Sequence, residues 1–392
     1  MPFLVYLLAL AVFAQGTSEF MLSGLLPGIA TDLGVSVGAA GLLTSGFALG
    51  MVVGAPTMAV LARRLPPRWT LSGFLLLFIA AHAVGACAGD FETLFVTRVL
   101  AALANAGFLA VTLSTVARAV PPNSRTRALA IILGGTTVAL IAGVPAGAVI
   151  GDAFGWRSAL WAVAGLCLPA LIGILLTVPT AVAGGPHGPA AVPKPDARRP
   201  APALRDELAA LRRPELRRYI LLAALVNGAT FCSFTYLAPI VVDGAGMPRG
   251  AVPAVLALFG AGSLVGVLLA GRLGDRSGGP LIRIAVPGLL LGWVVLATTL
   301  HSAPAVWALV LPLGALSFCA GSVLVARVVG AAEAAPSLGG SFATAALNVG
   351  AVIGPAAGGA ALSFAGPAGP ALVSAAFVLA TVVLGGVRRG RS

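Results

Sequence analysis

Charged side chains are scarce in this sequence. They make up only 9% of its 392 residues, whereas hydrophobic residues make up 59%, and the mean hydropathy is +1.03. A soluble domain carries roughly 25% charged residues, so part of this surface must face lipid. Glycine (51) and proline (28) are abundant instead, which membrane helices tolerate because neighbouring helices satisfy the freed backbone groups.

Residues suited to metal or nucleophilic chemistry are also few. The three histidines are not paired, and no carboxylate cluster with metal spacing and no nucleotide-binding loop occurs. We therefore predict no cofactor and no metal, and we disfavour a membrane enzyme or a sensor. The four cysteines all lie in apolar runs and are expected to be free thiols: Cys87, Cys167, Cys232 and Cys319.

Twelve runs of about 20 apolar residues predict twelve transmembrane helices. These spans cover residues 3–27, 38–62, 69–88, 93–117, 126–151, 157–179, 217–242, 251–274, 281–300, 303–329, 338–362 and 368–387. No basic segment precedes the first run, so it is expected to be a retained span rather than a signal peptide. We predict an all-α membrane protein with a six-helix bundle over 1–180, a central loop over 181–216 and a second six-helix bundle over 217–392.

The placement of basic residues predicts the orientation in the membrane. The loops after spans 2, 4, 8 and 10, the central loop and the C-terminal tail hold 21 of the 24 basic residues. The opposite loops hold Arg157 and Arg249 and five acidic residues: Asp32, Asp90, Glu92, Asp152 and Asp243. By the positive-inside rule, both termini and the central loop are cytoplasmic. The positive charge is then expected to face lipid headgroups, and nucleic acid is disfavoured as a partner.

The two halves of the chain repeat each other at a nearly constant spacing. Residues 15–20, Q-G-T-S-E-F, align with residues 227–232, N-G-A-T-F-C, at an offset of 212. The same offset pairs Pro27 with Pro239, and Phe47, Gly50 and Gly54 with Phe259, Gly262 and Gly266. Chance alignment of small residues is the alternative, but the constant offset argues against it. Two parallel six-span halves resemble the major facilitator transporters.

A loop motif carries the same resemblance. Residues 271–279 read G-R-L-G-D-R-S-G-G and are similar to the family's loop signature G-x-L-x-D-R-x-G. The resemblance implies that Gly271 permits a tight turn and that Asp275 and Arg276 form a charge lock on one gate state; a plain hairpin with solvated charges is the alternative. In the first half Arg63 replaces the aspartate, so no equivalent lock is expected there.

Glycine-rich motifs in spans 5 and 11 resemble the antiporter signature of the family. Residues 350–359 read G-A-V-I-G-P-A-A-G-G and match it in full, and residues 143–147, G-V-P-A-G, are a reduced version. Such spacings give a flat helix face that proline bends. The resemblance implies a packing seam that limits leak, with generic small-residue packing as the alternative. The seam would contain Gly143, Pro145, Gly147, Gly354 and Pro355.

Span 1 and the loop after span 5 narrow the resemblance. Residues 16–27 read G-T-S-E-F-M-L-S-G-L-L-P, and residues 155–157 read G-W-R. The combination is similar to the twelve-span chloramphenicol resistance exporters of the drug–proton antiporter group. This implies a monomeric transporter in the cell membrane that exports chloramphenicol or a related phenicol, driven by the proton gradient. A same-fold exporter of a sugar, an amino acid or another small metabolite is the alternative.

Glu19, in the middle of span 1, is the candidate for proton coupling. A charge there is costly, and low-dielectric surroundings favour a neutral carboxyl group. The repeat places Phe231 opposite Glu19, so only one half carries the acid. Arg98 of span 4, the position of a family signature arginine, is the predicted partner, unless it snorkels towards Asp90 or Glu92. A helix–helix hydrogen bond without a titration role is the alternative for Glu19.

Candidate substrate contacts follow from the family's cavity-lining spans. They are Gln15, Asn227, Phe231, Phe234, Tyr236 and Asn348. Aromatic and amide groups suit a nitroaromatic amide-diol such as chloramphenicol, but packing or an interhelical hydrogen bond is the alternative for each. His82 in span 3 is expected to be a satisfied packing residue rather than a proton relay.

Overall fold

The computed structural model describes residues 3–62, 66–121, 124–178, 209–332 and 339–386. The description omits the side chains at 55–56, 59–62, 114, 117–119, 125–126, 274–278, 339 and 386. All regular secondary structure in the described residues is helical. Among them, 11 helical segments are long and apolar enough to cross a membrane, and one of these, Gly340–Gly385, contains two helices. The predicted all-α membrane fold is confirmed.

The helices follow the predicted spans closely. In the first half they are Phe3–Phe20 and Leu22–Leu33 (span 1), Val37–Ala62 (span 2), Pro67–Ala86 (span 3), Phe91–Ala119 (span 4), Arg125–Val138 and Val144–Phe154 (span 5) and Trp156–Thr177 (span 6). In the second half they are Pro214–Thr235 and Leu237–Pro239 (span 7), Val252–Thr298 (spans 8 and 9), Ala303–Ala331 (span 10), Gly339–Ala365 (span 11) and Gly369–Gly386 (span 12).

Spans 8 and 9 both belong to the helical stretch Val252–Thr298. They pack on span 10 in opposite directions. Gly266 of span 8 packs against the backbone of Ala315, and Gly288 of span 9 packs against Leu316. Because both glycines reach the same level of span 10, the chain reverses direction between them.

The segment predicted as a loop after span 8 lies within this reversal. Residues 271–279 belong to the helical stretch Val252–Thr298. A Cβ at Gly271 would meet no atom within 4 Å. The side chains of Asp275 and Arg276 lie outside the described residues, so their charge lock stays a prediction.

Four glycines with positive φ mark one end of the bundle. Gly34, Gly155, Gly246 and Gly366 have φ of 66°, 83°, 64° and 60°, a region that favours glycine because it has no Cβ. They follow spans 1, 5, 7 and 11, so we call this end the glycine-turn end. Gly34 and Gly246 are 212 residues apart and Gly155 and Gly366 are 211 apart. The sequence repeat therefore extends to backbone conformation.

Buried apolar side chains form two main clusters. One contains side chains from spans 1–6 together with Tyr236 of span 7. The other contains side chains from spans 7–12 together with five from the first half: Phe20, Ala48, Leu140, Val144 and Ala148. Residues 179–208 lie outside the described part of the chain, so the domain boundaries at 180 and 217 stay predictions; the helix of span 7 begins at Pro214.

Spans 1, 5 and 7 are interrupted near prolines. Span 1 breaks at Met21, six residues before Pro27. The π-helical turn Ala139–Gly143 precedes Pro145, and the π-helical turn Ile240–Gly244 follows Pro239. Proline removes a backbone N–H and clashes with the preceding turn, and π turns recur at functional sites in helices. The break in span 1 comes directly after the Glu19–Phe20 pair.

Candidate functional site

Arg98 is buried inside the first half rather than at a membrane interface. Only 2% of it is exposed. Its Nη1 donates to Ser18 Oγ at 2.7 Å, and its Nη2 donates to the Ser18 carbonyl oxygen at 2.8 Å. The guanidinium carbon lies 4.5 Å from the centre of the Phe47 ring, a cation–π contact. The snorkelling alternative is therefore wrong, since Arg98 finds its partners on spans 1 and 2.

His82 extends this arrangement to span 3. Its Nδ1 lies 2.8 Å from the Phe78 carbonyl oxygen, which can only accept, so Nδ1 carries the proton. Its Nε2 lies 2.6 Å from Ser18 Oγ. In the tautomer with the proton on Nδ1, Ser18 Oγ accepts from Arg98 and donates to His82 Nε2. His82 is a satisfied packing histidine, as expected, and it also fixes the Ser18 hydroxyl that orients Arg98.

Glu19 lies beside this cluster with its carboxylate unpaired. The residue is half-buried, and among the described residues no hydrogen bond or ion pair reaches it. Arg98 donates to Ser18, the residue directly before Glu19 in span 1. A helix–helix hydrogen bond, the alternative role for Glu19, is thus not formed in the described part of the structure. The carboxylate is free to take up a proton or to contact a ligand.

Gln15 lies one helical turn from Ser18 on span 1. It is 1% exposed, and neither Oε1 nor Nε2 has a hydrogen-bond partner among the described residues. A buried amide is normally satisfied by protein or by water. Gln15 therefore keeps a buried donor and a buried acceptor without a protein partner in the described residues, and its role as a substrate contact stays a prediction.

Aromatic rings join the two halves next to Glu19. Phe20 stacks on Phe231 of span 7 with ring centres 5.6 Å apart. Phe234 lies 6.0 Å from Phe231 in an edge arrangement and 5.0 Å from Phe259. The structure therefore brings two of the predicted substrate contacts, Phe231 and Phe234, into one aromatic row that begins at Phe20, the residue after Glu19 in the sequence.

The other predicted contacts make helix hydrogen bonds in this conformation. Asn227 Nδ2 donates to the Leu347 carbonyl oxygen at 2.6 Å, which joins span 7 to span 11. Asn348 Nδ2 donates to the Thr344 carbonyl of its own helix at 3.0 Å. Tyr236 is fully buried and belongs to the contact between the halves described below. No direct bond links these three side chains to the Arg98 cluster in the described residues.

The glycine motifs bring pairs of helices into close contact. A Cβ at Gly354 would meet the Gly228 carbonyl oxygen, and one at Gly143 would meet the Thr17 side chain. A Cβ at Gly147 would lie 3.1 Å from Met21 Cβ. Span 11 thus packs on span 7 as span 5 packs on span 1. Pro355 lies in the same seam, and Pro145 begins the helix after the π turn of span 5.

The halves touch each other at the glycine-turn end. The Tyr236 hydroxyl lies 2.7 Å from the Pro355 carbonyl oxygen and 3.3 Å from the Gly38 carbonyl oxygen. A Cβ at Gly38 would lie 2.7 Å from the Gly359 carbonyl oxygen. Ser45 Oγ donates to the Val352 carbonyl oxygen at 2.7 Å. We call these contacts of spans 2, 7 and 11 the seal.

A polar cap ties three turns of the first half together at the same end. Asp32 forms an ion pair with Arg157 and accepts from Trp156 Nε1 at 3.1 Å. Arg157 also donates to the Ala88 carbonyl oxygen at 2.7 Å. The hydrogen bonds from Arg157 and Trp156 hold the pKa of Asp32 below its usual range. The G-W-R stretch of the sequence therefore has a structural role.

Comparison with known proteins identifies the family. The sequence model of the Major Facilitator Superfamily matches residues 8–337. The chain belongs to the Major Facilitator Superfamily. It is 54% identical over 359 residues to a "Chloramphenicol resistance protein" of Streptomyces lividans, covering 91% of this chain and 88% of the relative. It is 34% identical over 370 residues to the "Inner membrane transport protein YdhP" of Escherichia coli (strain K12), covering 91% and 88%.

Solved major facilitator structures share the fold. A bacterial homolog of the human lysosomal transporter Spinster, in an inward-facing and unoccupied conformation, has a TM-score of 0.74 at 18% identity, covering 97% of this chain and 94% of the other. Family membership makes the protein a multi-pass transporter of the cell membrane with a small-molecule substrate, and not an enzyme.

Proposed function

We propose that this major facilitator protein exports chloramphenicol or a related phenicol, and that Glu19 couples export to proton entry. The observation that carries the substrate is the 54% identity to the chloramphenicol resistance protein of Streptomyces lividans over 91% of this chain. The half-buried, unpaired Glu19 beside Arg98 supports the coupling site.

Alternating access is proposed from the contacts of the halves at the glycine-turn end. The charge distribution puts the glycine-turn end outside the cell. The seal lies at that end, which supports a conformation closed to the outside as one state of the cycle. A protein that moves a substrate must also open the seal, which requires span 2 of the first half to separate from spans 7 and 11 of the second half.

The cycle follows from the charges at the site. When the site faces out, Glu19 takes up a proton and loses its attraction to Arg98. When the site faces in, the proton leaves and the Arg98 charge favours the carboxylate. The drug then binds beside the aromatic row and Gln15, and outward opening and reprotonation release it.

The driving force is adequate for this exchange. One proton that moves inward through a membrane potential of about 100 mV releases about 2.3 kcal/mol. At about 1.4 kcal/mol for each factor of ten, this supports roughly a 50-fold gradient of a neutral drug before any pH term.

The test is uptake of labelled chloramphenicol into inverted vesicles with an imposed pH gradient. Glu19→Gln should abolish gradient-driven uptake, because the amide cannot carry the proton, while membrane insertion stays intact. Glu92→Gln is the matched control, since Glu92 is an exposed acid at the glycine-turn end and should transport normally. Uptake by Glu19→Gln at the wild-type rate would rule out Glu19 as the coupling site.

The substrate is tested separately from the coupling. A panel of phenicols, a sugar and an amino acid in the same vesicles should show uptake of the phenicols alone. Expression in a sensitive host should protect the cells, and a proton uncoupler should remove the protection. Uptake of a metabolite without phenicol uptake would favour the metabolite exporter.

A further inference from the structure

A cavity lies in the second half, away from Glu19 of the first half. Its volume is about 700 Å³, and it is bounded by spans 7, 9, 10 and 12. The lining residues belong to the ends of these spans that are remote from the glycine-turn end, and the charge distribution places those ends at the cytoplasmic surface. The proposed export mechanism makes no use of this cavity.

Three arginines line the cavity, and the lining given by the described residues contains no acid. They are Arg218, Arg283 and Arg327, from spans 7, 9 and 10, and no aspartate or glutamate is among the lining residues. Within the described residues none of the three forms an ion pair. Such a concentration of unpaired guanidinium groups favours an anion, because each carries several N–H donors in a planar fork.

The arginines are held by contacts that leave donors free. Arg218 donates to the carbonyl oxygens of Leu384 and Gly385 at the end of span 12. Arg327 Nη1 lies 3.3 Å from the Tyr219 hydroxyl oxygen, so the hydroxyl accepts there and its own proton stays available. Arg283 has one bond, from Nε to the Gly279 carbonyl oxygen at 3.3 Å. The cavity is thus built before any ligand enters.

The rest of the lining is apolar and continues onto the lipid-facing surface. Leu222, Val286 and Leu324 form the buried wall. Val382, which also lines the cavity, is 38% exposed, and the neighbouring Ile284 of span 9 is 70% exposed. In a membrane these exposed side chains face acyl chains. A free anion such as inorganic phosphate would make no favourable contact with this apolar surface.

We propose that this cavity binds the phosphate headgroup of an anionic phospholipid from the cytoplasmic leaflet, with an acyl chain along spans 9 and 12. Basic pockets between transmembrane helices at the cytoplasmic side suit such headgroups. The phosphate would contact the arginines of spans 7, 9 and 10, and Arg218 in turn holds the end of span 12 through the Leu384 and Gly385 carbonyl oxygens.

The experiment measures lipid retention on the purified full-length protein by native mass spectrometry, together with thermal stability. The probes are phosphatidylglycerol, phosphatidylcholine and inorganic phosphate. The test variant is Arg283→Gln with Arg327→Gln. The matched control is Arg212→Gln with Arg272→Gln, which removes two exposed arginines that do not line the cavity. Arg218 is left unchanged because it caps span 12.

The wild-type protein and the control should retain phosphatidylglycerol and gain thermal stability from it. The test variant should bind it about 25-fold more weakly, roughly fivefold for each arginine, with unchanged stability in phosphatidylcholine. Equal loss in the control, or no loss in the test variant, would overturn the site. Equal stabilisation by inorganic phosphate would overturn the lipid assignment.

Two checks keep the result separate from other failures. If the double variant does not fold, Arg283→Gln alone, at an exposed position, should weaken binding about fivefold, and unchanged binding in that variant would refute the site. The measurement involves no transport, so it stands or fails independently of the proposed export.

Discussion

Arg98 is stabilised by directional hydrogen bonds to Ser18 and by the Phe47 ring. Two guanidinium nitrogens, Nη1 and Nη2, donate to the side chain and the backbone of Ser18. A lysine ammonium has only one nitrogen and lacks this planar fork of donors. The arginine is therefore held next to Glu19 without being neutralised by it. This leaves the carboxylate able to change its protonation state.

Removal of the Ser18 hydroxyl group tests whether it positions Arg98. Ser18→Ala removes the Nη1 bond and the link to His82 but keeps the Nη2 bond to the backbone carbonyl. Because a hydrogen bond to a charged group contributes about 1.5–3 kcal/mol, we expect gradient-driven uptake to fall by about a factor of ten. The measurement is vesicle uptake across a range of pH.

Ser23→Ala is the control for that change. Ser23 is also a buried serine of span 1, but its hydroxyl donates to the Phe20 carbonyl of its own helix at 2.9 Å. It should transport like the wild type. If Ser18→Ala also kept the wild-type rate and pH profile, the Ser18 network would have a packing role only.

Residue chemistry in the sequence identified Glu19 and Arg98 but not their surroundings. The cost of charge in an apolar span marks both residues without any structure. Their partners lie elsewhere: Ser18 is 80 residues from Arg98 and 64 from His82. No local pattern encodes contacts at such separations. A histidine in an apolar span was the only signal for this network, and packing explained it equally well.

At the scale of elements, the helices pack by the small-residue pattern that the sequence displays. Gly350 and Gly354 place span 11 against the backbone carbonyls of Ala224 and Gly228. Without a hydrophobic driving force between helices in lipid, such close approach supplies the association. The glycine spacing therefore predicted which face of span 11 is packed, although not which span it packs against.

The twelve spans followed from hydropathy, whereas the breaks in spans 1, 5 and 7 did not. Prolines at 27, 145 and 239 are visible in the sequence. Whether a proline gives a kink, a π turn or a break depends on the neighbours that satisfy the freed carbonyl groups. These neighbours come from the other helices, so the location of the break at Met21 needed the structure.

The cap at the glycine-turn end gives a pH prediction. The pKa of Asp32 is lowered by its bonds from Arg157 and Trp156. A lowered pKa in the folded state means that the cap contributes stability above the usual aspartate range, about 3.9, and loses it as the pH falls through the lowered value. Both partners are substantially exposed, so the contribution is small.

Asp32→Asn should therefore lower the thermal midpoint at pH 7 by no more than about 2 °C. The difference from the wild type should shrink as the pH falls towards the lowered pKa of Asp32. Thermal unfolding in nanodiscs between pH 3 and 8 measures it. Asp152→Asn is the control, since Asp152 is exposed and has no ion pair among the described residues. A pH-independent difference would mean that shape rather than charge holds the cap.

At the scale of the whole molecule, the seal decides which side of the membrane reaches the site. It is made of backbone contacts and a few hydroxyl bonds between spans 2, 7 and 11. Such contacts break at modest cost, unlike a network of buried ion pairs. A transporter of this fold needs the seal to be stable enough to close and weak enough to open.

Gly38 is the position where this balance can be shifted. A Cβ there would lie 2.7 Å from the Gly359 carbonyl oxygen across the seal, so Gly38→Val cannot close it without displacement. Overpacking costs about 1–3 kcal/mol, which corresponds to roughly a 5-fold to 150-fold change in population. We expect the variant to favour the conformation that is open at the glycine-turn end.

An engineered cysteine reports this shift. Ser45→Cys places a thiol in the seal, where Ser45 is 7% exposed, and Cys87→Ser removes the exposed native cysteine. A membrane-impermeant maleimide added to whole cells should label the thiol about tenfold faster in Gly38→Val.

Gly28→Val is the matched control, because a Cβ at Gly28 meets nothing within 4 Å. Equal labelling of both variants would mean that the seal does not limit access from outside. Labelling only when the reagent reaches the cytoplasmic side would mean that the glycine-turn end is cytoplasmic, which contradicts the orientation predicted from the basic residues.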